Sequence, residues 1–263
     1  MVTTQPDPPS EDQLRIGLIA PPWVAVPPPL YGGTEVVVDQ LARGLRDLGH
    51  DVVLFATGDS TCPVSRRWFF PSALGTSGSP AEELDHVRAA YDELDDCDII
   101  HDHTTLGPLW ASVSAITTPL VATVHGEFNE ETTNIAADVA AHVAVVAISH
   151  HQAATARGVA IARVIHHGVD AAAFRPGRGD GGYVAFVGRM HPDKGVHRAI
   201  RIVRAAGKRL VIAAKMWEAS EQRYFHDEVE PLLDDDAVYL GQVGGAAKAE
   251  LLAGAEALIN PIR

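Results

Sequence analysis

The chain has 263 residues, 46% of them apolar and 21% charged, a globular composition with length enough for two modest domains. Its net charge of −13 is carried by residues 1–180, which hold 10 Arg, no Lys and 23 acidic side chains, while residues 181–263 balance 11 basic against 11 acidic. An acidic surface repels nucleic acid and anionic membranes, and no apolar run approaches the ~20 residues of a bilayer span, so neither a nucleic-acid partner nor a transmembrane segment is expected.

Residues 1–14, MVTTQPDPPSEDQL, contain no basic residue and no apolar core. They read as a disordered tail rather than a targeting segment, and the protein is expected to be cytoplasmic. Cys62 and Cys97 are too few for a metal cluster and are expected to be free, buried thiols. From residue 15 onward short apolar runs alternate with helix-patterned segments: RIGLIA (15–20), DVVLFAT (51–57), DIIH (98–101), PLVATV (119–124), HVAVVAIS (142–149) and ARVIH (162–166). Between the first two lies a helix over 34–49, whose Val37, Val38, Leu41, Leu45 and Leu48 share one face and whose Gly49 ends it. A Gly-, Ala- and Arg-rich stretch, 169–182, then reads as a linker. After it the pattern restarts with strands at 183–188, 209–214, 237–241 and 257–262 and helices near 194–206, 218–233 and 246–254. The alternation predicts an α/β protein of two Rossmann-like domains, 15–168 and 183–263, each with a parallel sheet.

In such sheets ligands bind beyond the carboxyl ends of the strands. Polar groups crowd those ends here: His101-Asp102-His103, His125-Gly126-Glu127, His150-His151 and His166-His167-Gly168. His151 and His166 read as helix-cap or strand-end residues, whereas His125, between an apolar strand and a glycine, reads as functional. Gly32 and Gly33 precede the first helix and let an anion approach its N-terminus, although a plain turn capped by Thr34 reads as well. The stretch is neither a dinucleotide fingerprint nor a P-loop, which argues against a dehydrogenase or an NTPase. In VGRMHPDKG, a strand ends at Gly188, Arg189 and Lys194 bracket a Pro-Asp turn, and Gly195 opens a helix. Two cations at one strand end suit a diphosphate. A rival reading takes His101, His103 and His125, with Asp102, as ligands of a hydrolytic metal ion.

Together these segments resemble the GT-B glycosyltransferases of family 4. YGGTEVVVDQLARGLRDLGHDVVLFATGDS resembles the family's glycine loop and first two strands, DIIHDH and PLVATVHG two later strand ends, VIHHGVDAAAFRP the approach to its linker, and VGRMHPDKG its signature. The resemblance implies two Rossmann-like domains facing across a cleft and a retaining transferase that needs no metal or other cofactor. Its donor is a nucleotide diphosphate sugar of UDP, GDP or ADP type, bound mainly by the second domain, and its acceptor, unknown here, is bound by the first. It further implies that Arg189 and Lys194 stabilise the departing diphosphate and that His125 contacts the donor sugar. Gly32, Gly33, Gly188, Gly195 and His167 fall in donor-binding segments, with Asp102, His103 and Glu127 as candidates on the acceptor side. This chain departs from the family pattern at His167, where Asn is usual, and at Lys215, where Gly is common. In the family a strand like ALINPI leads to two glutamates that bind hydroxyls. Arg263 comes before them, so a C-terminally truncated relative or a non-catalytic binding fragment, poor at transfer, is expected.

Overall fold

The computed structural model describes residues 13–75 and 79–262, with the backbone alone at 130 and 131. The expected tail of residues 1–14 lies, apart from its last two residues, outside that range, as does Arg263. The described residues form two compact units, one of residues up to 28 with 32–168 and one of residues 29–31 with those from 169 onward.

The first unit alternates strands and helices in chain order: β1 (Arg15–Ile19), α1 (Gly33–Asp47), β2 (Asp51–Ala56), β3 (Ser65–Trp68), α2 (Pro80–Glu93), β4 (Ile99–Asp102), α3 (Gly107–Val113), β5 (Leu120–Val124), α4 (Glu130–Val139), β6 (Ala144–Ala147), α5 (His150–Thr155) and β7 (Ile161–Val164). All seven strands are parallel, in the order β3-β2-β1-β4-β5-β6-β7. The order reverses between β1 and β4, which makes the loops leaving those two strands the natural place for a ligand. Because strand side chains alternate, Leu18 and Leu54 pack with Val38 and Ala42 of α1 on one face. Ile19, Phe55 and Ile100 pack with Val87, Ala90 and Leu94 on the other.

Two expectations change here. Strand β3, SRRW, escapes a hydrophobicity reading because it is an edge strand whose side chains are mostly exposed. The apolar face expected on α1 also divides: Val38 is fully buried, but Leu48 is 77% exposed. Val37, Leu41, Leu45 and Leu48 line an open cavity of about 530 Å³ over β4, β5 and β6, while Leu41 and Leu45 also pack against the core beneath α1.

The second unit has β8 (Tyr183–Arg189), a 3-10 turn (Pro192–Lys194), α6 (Val196–Ala205), β9 (Arg209–Lys215), α7 (Ala219–Tyr224), β10 (Ala237–Tyr239), α8 (Gly245–Gly254) and β11 (Ala257–Leu258). Its four parallel strands run in the order β10-β9-β8-β11. The single helix expected over 218–233 breaks after α7 into a π turn, Phe225–Val229, and a 3-10 turn, Glu230–Leu232, since Pro231 brings no N–H to continue an α-helix. The stretch read as a linker is tied down: Gly179 N–H and Gly181 N–H donate to the carbonyls of Ala253 and Gly254 at the end of α8, 3.1 and 2.9 Å away. The strand expected over 257–262 pairs with β8 only at Ala257 and Leu258. Among the described residues no helix is long and apolar enough to cross a membrane.

Candidate functional site

At the carboxyl end of β1 the chain reaches Gly32, which sits at the N-cap of α1 with no side-chain hydrogen bond there, so Thr34 is inside the helix rather than capping it. A Cβ on Gly32 would come within 2.6 Å of both Pro28 and the Glu35 carboxylate, whereas Gly33 is exposed with open space where its side chain would be. Glu35, in the first helical turn, is buried, and burial pushes its carboxyl up to about 7 against the opposing pull of its backbone hydrogen bond.

The end of β4 is built around Asp102. The sequence made it an acceptor-side candidate, but it is 1% exposed. Its oxygens accept from Tyr91 Oη at 2.7 Å and Thr104 N at 2.7 Å. Gly107 approaches so closely that any Cβ there would collide with this carboxylate. Burial raises the Asp102 carboxyl to about 6 in spite of those two donors. Asp102 therefore shapes the β4–α3 turn from inside, and Glu83 of α2 completes the turn by accepting from Thr105 N at 2.6 Å and Leu106 N at 3.1 Å.

The neighbouring histidines form a continuous row of ring contacts, stacked at its two ends and tilted in the middle. The His101 and His103 rings lie 4.3 Å apart, His103 and His125 5.2 Å, and His125 and His167 5.1 Å. His101 Nε2 meets Thr123 Oγ1 at 2.7 Å, and His103 Nδ1 meets His125 Nε2 at 2.9 Å. Burial holds His101 and His125 down at about 4, drives His103 well below the ordinary range and lowers His167, with neighbouring imidazoles pushing His103 and His125 in the same direction. All four rings are thus neutral near pH 7. The nitrogens of His103 and His125 point at each other rather than at a common point, and among the described residues no three His, Cys, Asp or Glu side chains are arranged to hold a metal ion. That geometry removes the support for the hydrolase reading.

Gln152 is a partner that strand-end patterns do not reveal. Its amide nitrogen donates to Val124 O at 2.9 Å and Gly126 O at 2.6 Å, one on either side of His125. Its amide oxygen accepts from Ile148 N at 2.7 Å, so α5 fixes the backbone of the β5 end. Glu127, two residues after His125, is exposed. His151 is exposed on α5, while His150 and His166 meet edge to face at 5.6 Å.

In the second unit Arg189 is the last residue of β8 and stands in register with Lys215, the last of β9. Between them lies Glu221 of α7, fully buried, with Oε1 3.2 Å from Lys215 Nζ and 3.6 Å from Arg189 Nε. Glu221 Oε2 accepts from Trp217 N at 2.7 Å and Glu218 N at 3.1 Å. Burial alone would raise this carboxyl, but the two backbone donors and Lys215 keep it below the ordinary range. Lys215 also sits over the Trp217 ring, 4.7 Å from its centroid. Lys194 ends the Pro192–Lys194 turn, where its backbone N–H donates to the His191 carbonyl at 3.0 Å, and its side-chain ammonium has no ion pair or hydrogen bond among the described residues. Gly195 follows with φ +71 and serves as N-cap of α6, whose first turn carries no acidic residue. Gly188 is half-buried within β8, and a Cβ there would make only ordinary contact with Phe186.

Residues 31–173 match the family model of Glycosyltransferase Family 4. The chain belongs to that family, and its two α/β units are of GT-B type. It is similar to the crystal structure of AviGT4, a glycosyltransferase involved in avilamycin A biosynthesis, with 28% identity and a TM-score of 0.65 over 93% of this chain and 69% of that one. Anabaena Alr3699/HepE in complex with UDP and glucose shares 18% identity with a TM-score of 0.72, over 95% of this chain and 74% of that one. The catalytic domain of starch synthase IV from Arabidopsis thaliana, bound to ADP and acarbose, shares 15% identity with a TM-score of 0.68, over 95% and 78%. At those lower identities the likeness is one of fold. No curated protein matches the chain. The family and the fold together make the protein a glycosyltransferase.

Proposed function

We propose that the protein transfers a hexosyl group, with retention, from a nucleoside diphosphate sugar to an acceptor hydroxyl, and that Arg189 and Lys194 hold the diphosphate. One observation carries this reading. At the carboxyl end of β8 a guanidinium anchored on a buried carboxylate stands five residues before a lysine whose ammonium has no partner among the described residues, at the start of a helix whose first turn is free of acidic residues. Charge grows on the diphosphate as the bond to the sugar breaks, so cations and helix N–H groups placed there stabilise the transition state more than the bound substrate. His125 serves the sugar, and the family's glycine loop, Gly32-Gly33, lets phosphate oxygens approach the backbone. UDP and ADP complexes of the structural relatives support a nucleotide donor in general terms.

The test is a thermal shift and calorimetric titration with UDP, GDP and ADP, since a ligand that binds the native state raises its melting temperature. One of the three is expected to stabilise the protein. Arg189→Ala with Lys194→Ala removes two charge-assisted contacts worth roughly 1.5 to 3 kcal/mol each, so that nucleotide is expected to bind at least tenfold more weakly. Unchanged affinity in the double variant would place the diphosphate elsewhere.

A further inference from the structure

The contact between His103 and His125 fixes more than position. Two neutral imidazoles can share a hydrogen bond only if one nitrogen carries the proton and the other is bare. Nδ1 of His103 and Nε2 of His125 are 2.9 Å apart, and the remaining ring nitrogens differ in their surroundings. His103 Nε2 is buried with no hydrogen-bond partner among the described residues. His125 Nδ1 has no partner among the described residues either, but it is not one of the enclosed polar atoms.

Suppose His125 donated from Nε2. His103 Nδ1 would then be bare and its proton would sit on Nε2, as an orphaned N–H inside the protein. If His103 donates from Nδ1, the enclosed Nε2 is a bare lone pair, and no buried donor is stranded. Orphaned buried N–H groups are rarer than under-satisfied acceptors, which favours the second arrangement. In that arrangement His125 Nε2 is occupied as an acceptor and its own proton lies on Nδ1.

We infer that His103 is a positioning residue that locks His125 in the Nδ1–H tautomer, so that at the carboxyl end of β5 this ring offers a hydrogen-bond donor and not a base. Gln152 holds the backbone on both sides of His125, and His103 sets the ring. The stack continues to His101 behind His103, where Thr123 engages Nε2, and to His167 over the other side of His125. A donor at this place suits an oxygen that gains negative charge or accepts from N–H, such as a sugar hydroxyl, and not a group that must lose a proton to the ring.

The measurement is a long-range proton–nitrogen correlation spectrum of the chain labelled with 15N-histidine at pH 7.5, with His125 assigned from the signals lost in His125→Gln. His125 is expected to show a protonated Nδ1 and a bare Nε2. His103→Phe, which has no nitrogen to donate, is expected to release His125 to the Nε2–H form that free histidine prefers. His103→Asn, whose amide nitrogen stands near the place of Nδ1, is expected to keep the Nδ1–H form. A wild-type His125 protonated on Nε2, or a tautomer unchanged in His103→Phe, overturns the inference. If His103→Phe does not fold, the wild-type and His103→Asn spectra decide it. The activity arm rests on the sugar-transfer reading: His103→Phe is expected to lower kcat about tenfold with little change in donor KM, and His103→Asn to retain most of it. Normal kcat in a His103→Phe protein whose tautomer has switched shows that His125 does not serve the transfer step, while the spectra still decide the lock.

Discussion

Glu35 and the histidine stack pull the stability of the first unit in opposite directions as pH changes. Glu35 keeps its proton in the native state up to about 7 but releases it near 4.5 when unfolded, so between those values the native state binds more protons and stability falls as pH rises. The histidines reverse the sign. Native His101 and His125 protonate only near 4, while unfolded histidine does so near 6.5, so their stabilising contribution is present above 6.5 and is lost as pH falls towards 4. Glu35→Gln removes the first slope and leaves the second. It is expected to gain up to about 3 kcal/mol on wild type between pH 4.5 and pH 8, as read from urea unfolding at several pH values. Parallel profiles for the two proteins would show that Glu35 titrates as an exposed carboxylate does. Glu221 gives a second residue-scale prediction. Glu221→Ala strands Lys215 in the interior and releases Arg189, at an expected cost of about 3 to 5 kcal/mol, and the apolar pair Lys215→Met with Glu221→Leu is expected to recover most of it. The sequence shows His101, His103, His125 and His167 at strand ends, but not their stacking, which depends on how β4 and β5 pair. Nor does a residue type distinguish Asp102, spent on Tyr91 and Thr104, from a carboxylate that meets a ligand.

The turn from β8 into α6 shows how one element places a site. Gly195 holds φ +71, and a Cβ there would run into the Arg198 guanidinium. Gly195→Ala is therefore expected to cost about 1 to 3 kcal/mol through backbone strain and to weaken nucleotide binding, because Lys194 moves with the turn. Intact affinity would mean that Lys194 is placed by something other than this turn. Most elements are legible in the sequence because they are buried on both faces. GLI in β1, VVLF in β2 and LVIAA in β9 are runs that a parallel sheet covered by helices requires. Elements that meet solvent are less legible. Strand β3 carries Arg66, Arg67 and Trp68 because it is an edge, and the segment after α7 keeps a helical composition while Pro231 and the π turn break its hydrogen-bond pattern.

At the scale of the whole chain, the alternation of strand and helix establishes two parallel sheets, while the order of strands within each, which creates the crevices after β1 and after β8, needs the three-dimensional structure. The uneven charge of the sequence follows the same division. All four lysines lie between residues 194 and 248. Three are engaged: Lys208 with Glu256 at 2.7 Å, Lys215 with Glu221, and Lys248 over the Phe174 ring at 5.5 Å. Lys194 stands without such a partner among the described residues. An amine-reactive reagent used sparingly is thus expected to mark Lys194 ahead of the other side chains, and the nucleotide that stabilises the protein is expected to shield it. Mass spectrometry of the labelled peptides reads both outcomes, and equal labelling of Lys194 with and without nucleotide would put the diphosphate elsewhere. The near absence of lysine from this chain thereby turns the residue proposed to hold the leaving group into a reporter of its own occupancy.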